Sequence, residues 1–139
     1  MNEDLELIKQ ACNDLENIEK YNMKELLDNF FSKIKTKIDK YIGDYPTFIE
    51  PVFLGENVKI GDDVLIGPNV FIGTNSEIGD YVEVSNSIIF ENVRIGENFK
   101  LENCVIIKDS SLNFSNFKFK NCILKGRSTL KNEIEKYNI

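Results

Sequence analysis

Between Leu54 and Val84 an aliphatic residue returns at every sixth position, at Leu54, Ile60, Ile66, Ile72, Ile78 and Val84, and all but the last are followed by glycine. A six-residue period fits neither the 3.6-residue turn of a helix nor the alternation of a long strand. It fits short strands broken by regular corners. Past Val84 one residue is dropped and the series continues at Ile89, Ile95 and Leu101. A second drop leads to Ile106 and Leu112, and one extra residue brings Phe119 before Leu124 and Leu130.

Two further columns keep the same register. Two residues before each of these anchors stand mostly small or β-branched side chains, such as Val58, Val64, Val70, Ser87, Cys104 and Cys122, suited to an inward strand position. Three residues before stand Asn57, Asp63, Asn69, Asn75, Tyr81, Asn86, Asn92, Asn98, Asn103, Asp109, Asn116, Asn121 and Arg127. Asn and Asp tolerate the left-handed backbone region better than other non-glycine residues, so this column marks the corners. Three six-residue sides make one triangular coil, and coils stack at the strand spacing of about 4.8 Å. The pattern predicts a mainly β protein, a parallel β-helix of about four to five coils over residues 54–130.

Ahead of it, residues 1–43 read as an amphipathic helical hairpin. Leu5, Ile8, Cys12, Leu15 and Ile18 form one stripe, and Met23, Leu27, Phe30, Ile34, Ile38 and Tyr41 form the other. Asn22 is the expected N-cap of the second helix with Glu25 as its capping-box partner, and Gly43 its stop. Residues 44–53, punctuated by Pro46 and Pro51, are a connector. Residues 131–139 are a tail or short helix.

The residue before each anchor faces outward. One face shows Lys59, Glu77, Arg94, Ser111 and Thr129, and the next Leu65, Glu83, Lys100 and Lys118. The third shows Phe53, Phe71, Ile88, Val105 and Ile123, with Phe90 and Ile107 beside them. Soluble monomers rarely leave such a strip uncovered, so it is a docking or oligomer face, met by the chain's own helices or by a neighbouring subunit. Cys104 and Cys122 share an inward column and read as small packing residues. Asn86, Asn103 and Asn121 read as a stacked-amide ladder. Phe114, Phe117 and Phe119 read as local packing.

Composition narrows the chemistry. The formal charge of −6 argues against a nucleic-acid partner, which needs a basic stripe. No apolar run approaches the length of a membrane span, and no leader pattern precedes the first helix, so the reading is a cytoplasmic protein with reduced thiols. There is no histidine, which removes Ser-His-Asp and Cys-His nucleophile systems and His-ligated zinc together. No metal site is expected.

The I/L/V-G-x-x-V/S/T-x repeats resemble the hexapeptide-repeat family, which implies a left-handed β-helix and assembly as a homotrimer. FIEPVFLGENVKIGDDVLIGPNVFIG and VEVSNSIIFENVRIG look like the C-terminal β-helix of sugar-phosphate nucleotidyltransferases, especially the N-acetylglucosamine-1-phosphate uridylyltransferase group. Those enzymes carry a nucleotide-binding catalytic domain ahead of the β-helix, with a Gly-rich loop, whereas the first glycine here is Gly43. The departures from that pattern, no catalytic domain and no histidine, point to a non-catalytic assembly or regulatory module with no cofactor, either a stand-alone partner of a separately encoded nucleotidyltransferase or a remnant of a fused enzyme. Its alternative is an acyltransferase that binds acetyl-CoA between subunits. That reading needs a base other than histidine, drawn from carboxylates such as Glu77, Glu83, Asp62 and Asp80.

Overall fold

The structure, a computed structural model, describes residues 2–139. Its geometry is set at the corners. Twelve of the thirteen corner residues read from the repeat hold a positive φ, between 49° and 69°. Each turns the chain by one side of a triangle, so successive strands belong to three different faces, and the strands of the coils pair in parallel with those one coil away. The first face stacks Tyr41–Ile42, Val58–Ile60, Glu77–Ile78, Arg94–Ile95, Ser111–Leu112 and Arg127–Ser128. The second stacks Thr47–Phe48, Leu65–Ile66, Glu83–Ser85 and the leading halves of Phe99–Ile106 and Phe117–Lys125. The third stacks Val52–Leu54, Val70–Ile72, Ser87–Ile89 and the trailing halves of the same two long strands. The result is a parallel β-solenoid of about five turns.

Inside the prism the anchors from Leu54 to Leu124 are all buried, together with Val52, Val58, Val64, Val70, Val82 and Val93. The dropped residues have a structural cause. From Val84 onward the corner between the second and third faces is one residue shorter in three successive coils, so Phe99–Ile106 and Phe117–Lys125 run through it as single strands. The inward positions there are Ser87, Cys104 and Cys122. The Ser87 hydroxyl donates to the Ser85 carbonyl at 2.8 Å and accepts from the Cys104 N–H at 3.0 Å, which satisfies polar groups that the tighter corner buries.

Three expectations are corrected. The second helix, α2, spans Met23–Lys33 and ends there, not at Ile42. Past Ile34 the exposed run Lys35-Thr36-Lys37 leaves the helix, and Lys37 joins the third face in a parallel bridge with Phe53. Lys37 donates its N–H to the Val52 carbonyl and accepts from Leu54 N–H, both at 2.9 Å. The solenoid therefore begins with a coil over residues 37–48, closed below by Ile38 and the edge-on rings of Tyr41 and Phe48, 5.3 Å apart. At the other end Gly126, at φ +136°, takes the corner expected at Arg127, so Arg127 and not Thr129 stacks on Ser111, and Leu130 is exposed. The tail is a strand, Glu135–Asn138, running antiparallel along Phe117–Lys125.

Helix α1 spans Asn2–Cys12, and a 3-10 turn at Leu15–Lys20 leads into α2. Asn22 caps α2 as its sequence requires, its side chain accepting the Glu25 N–H while its amide donates to the Glu25 carboxylate, each at 3.2 Å. Lys33 and Asp4 tie the two helices together at 3.1 Å.

Candidate functional site

The seven apolar residues read from the sequence as a docking face lie together, against the chain's own helices. Ile88, Val105 and Ile123 are fully buried, Phe71 and Phe90 nearly so, and Phe53 and Ile107 are half-buried at the margins. The helices bring Ile8, Ala11, Cys12, Ile18, Met23, Leu27, Phe30 and Ile34 to them, forming a second core outside the prism. Phe30 meets Phe71 edge-on at 5.8 Å, and Phe71 stacks on Phe53 at 5.1 Å. Tyr137, paired with Ile123 by the final strand, extends the strip, a place that a tail or short helix over residues 131–139 does not predict.

Two tyrosines stand out at the corners. Among the described residues, the only non-glycine residues with positive φ that are neither Asn nor Asp are Tyr45 and Tyr81, both in the corner column between the first and second faces, with Asp63 between them. Tyr45 is 95 % and Tyr81 58 % exposed. Beside Tyr81 lies a shallow groove of about 450 Å³ lined by Asp63, Glu83, Asn98, Lys100, Asn116 and Lys118. The break that Tyr81 makes in an Asn/Asp column was the signal available for it in the sequence.

Three of the four carboxylates considered as bases are engaged elsewhere, and Asp62 takes part only through its backbone N–H. Glu77 sits between Lys59 at 3.7 Å and Arg94 at 2.7 Å, Glu83 lies 3.9 Å from Lys100, and one Asp80 oxygen accepts the Asp62 N–H at 2.8 Å. The thiols are equally committed. Cys104 and Cys122 face each other with sulfurs 3.8 Å apart, both free, and the Cys104 thiol is held up by its hydrogen bond to Cys122 and by burial. Burial pushes the Cys12 thiol up to about 12. Cys12 and Cys104 thus stay protonated at neutral pH, while the hydrogen bond with Cys104 holds the Cys122 thiol below its ordinary value. Among the described residues there is no cluster of His, Cys, Asp and Glu fit to hold a metal ion, and no helix is long and apolar enough to cross a membrane.

The amide ladder forms in pairs. Asn69 donates to Asn86 at 2.8 Å and Asn103 to Asn121 at 3.1 Å, while the other corners pair Asn57 with Asn75, Asn92 with Asp109 and Asn98 with Asn116. These bonds join neighbouring coils and give the asparagines a structural task beyond their backbone angle.

The family model of the GMPPB C-terminal domain matches residues 48–135. The chain belongs to the GMPPB C-terminal domain family. No curated protein gives a significant match. Membership ties the chain to the C-terminal domains of sugar nucleotidyltransferases of the hexapeptide-repeat type. The match covers the prism from Phe48 onward; α1, α2 and the coil before Phe48 lie outside it.

Proposed function

We propose that this chain is a non-catalytic assembly or regulatory module of sugar-nucleotide synthesis, acting beside a nucleotidyltransferase encoded separately. The observation that carries the reading is the state of its polar side chains. Glu77 is held by two cations and Asp80 accepts a backbone N–H, and a carboxylate so held is poorly placed to take a proton from an acyl acceptor. The chain has no histidine to stand in for them, and its thiols are buried. Membership of a sugar-nucleotidyltransferase C-terminal family supplies the context.

The test is co-expression with a sugar-1-phosphate nucleotidyltransferase from the same genome, followed by affinity purification and measurement of nucleotidyl transfer with and without the chain. A stable complex with an altered rate is expected. Saturable binding of acetyl-CoA with acetyl transfer to a sugar amine would instead establish an acyltransferase and discard the reading.

A further inference from the structure

Inside the corner between the second and third faces, Ser87, Cys104 and Cys122 stack on successive coils. Cys104 and Cys122 are direct partners in the parallel ladder, so their Cα atoms stand one strand spacing apart, about 4.8 Å. That lies within the span of roughly 4.4–6.8 Å that a disulfide bridges. Both thiols are free, and their sulfurs already touch at 3.8 Å. Closing them to a bond of about 2.05 Å takes side-chain rotation and a slight approach of two coils, with no change of fold.

The two thiols are not equivalent. Cys104 is held between coils, whereas Cys122 belongs to Phe117–Lys125, the last parallel strand on its face. The strand laid beyond it, Glu135–Asn138, is antiparallel, four residues long and mostly exposed. So short an exposed strand opens at lower cost than the coils beneath it, and its opening admits a small oxidant. Its register sets Asn138 against Cys122 and Lys136 against Leu124, which puts Lys136 on the side of the sheet to which Cys122 and Leu124 project. The hydrogen bond from Cys104, and after it the Lys136 ammonium, hold the Cys122 thiol below its ordinary value against the opposing effect of burial. Cys104 is held above its own by the same bond and by burial. One sulfur is the readier thiolate, and the other is in place to follow it. Cys12 lies apart from both, in the helical core.

We propose that Cys104 and Cys122 form a peroxide-responsive thiol pair, with Cys122 attacking the oxidant and Cys104 resolving the product into a disulfide. The Cys122 thiolate attacks one peroxide oxygen and the O–O bond breaks. The other oxygen leaves as water with the proton that Cys122 gave up, and Cys122 becomes a sulfenic acid. The Cys104 sulfur then attacks the Cys122 sulfur, the S–O bond breaks, and hydroxide departs with the Cys104 proton as a second water. Two thiols lose two electrons and one hydrogen peroxide gains them. The new bond ties the last coil to the one below it.

The test treats the full chain, reduced and freed of reductant, with hydrogen peroxide at neutral pH, then alkylates remaining thiols in urea and maps the peptides by mass. A chain lighter by two hydrogens is expected, with Cys12 alkylated, the Cys104 and Cys122 peptides joined, and the change reversed by dithiothreitol. In Cys104→Ser the sulfenic acid has no thiol to resolve it, so dimedone labels Cys122. In Cys122→Ser labelling of Cys104 is expected to be at least about tenfold lower. Lys136→Glu, at an exposed position, should give the same product severalfold more slowly. Circular dichroism checks that each variant is folded, and the wild-type map stands without them. Native chain that keeps all three thiols alkylatable, a bond that joins two chains or includes Cys12, equal dimedone labelling of the two serine variants, or an unchanged rate in Lys136→Glu would each overturn the proposal.

Discussion

At the scale of single residues the corner positions carry the fold, and they do so unequally. A left-handed backbone angle costs an ordinary L-residue on the order of 1 kcal/mol more than it costs asparagine. Tyr81 bears that cost at φ +59° with a side chain that stays 58 % exposed. Tyr81→Asn is therefore expected to stabilise the isolated chain by about 1 kcal/mol, read as a higher urea midpoint with an unchanged slope. An unchanged or lower midpoint would mean that the tyrosine ring repays its strain within the chain. Ile88 is the opposite case. It is fully buried between prism and helices, so Ile88→Asp leaves an unpaired carboxylate in an apolar cluster. A loss of at least about 3 kcal/mol is expected. A variant with wild-type stability would show that the strip is not packed as described. The corner column and the apolar strip were both legible in the sequence because each repeats with the coil. Tyr81 was visible only as an exception, since the repeat identifies its backbone angle but says nothing of what the ring meets.

Among elements, the helical hairpin is the part whose limits the sequence left ambiguous. Ile34 and Ile38 are four apart, as a helix needs, and the three polar residues between them, Lys35-Thr36-Lys37, carry no pattern that separates helix from strand. The ladder at Val52–Leu54 decides between the two, and that partner lies far along the chain. The hinge before α2 is held by local polar contacts: Asn17 donates to one Asp14 oxygen at 2.8 Å and the Tyr21 hydroxyl to the other at 2.9 Å. These bonds hold the Asp14 carboxyl below its ordinary range, the Asn17 bond first, and the bond to Asp14 raises Tyr21. A lowered acid contributes stability that is present above its unfolded value and lost as pH falls through the folded one. A raised phenol contributes stability that is present below its unfolded value and lost as pH rises through the folded one. The latch is thus complete between roughly pH 4 and pH 10. Asp14→Asn should lose less stability than wild type between pH 6 and pH 3 in urea titrations. Parallel losses in the two proteins would remove the latch from the acid response.

For the whole molecule the decisive arrangement is two cores sharing one sheet. The third face is the outer wall of the prism and the floor of the helical layer, so its strands are apolar on both sides: Ile72, Ile89 and Ile106 point in, and Phe71, Ile88 and Val105 point out. Removing the helices would not hollow the prism, because the inner core from Leu54 to Leu124 is complete without them. It would uncover a continuous aliphatic and aromatic strip larger than soluble monomers tolerate. A chain lacking residues 1–33 is accordingly expected to keep its β-sheet circular dichroism while binding a hydrophobic dye that the full chain ignores, and to self-associate through that strip. The association should be suppressed by adding Val105→Asp, a substitution that in the full chain is destructive and in the shortened chain merely makes an exposed strip polar. A truncated chain that stays monodisperse and dye-silent would mean that the strip does not need the helices. One that loses its β-sheet signal would make the two cores a single cooperative unit, with the helical layer part of what holds the prism together.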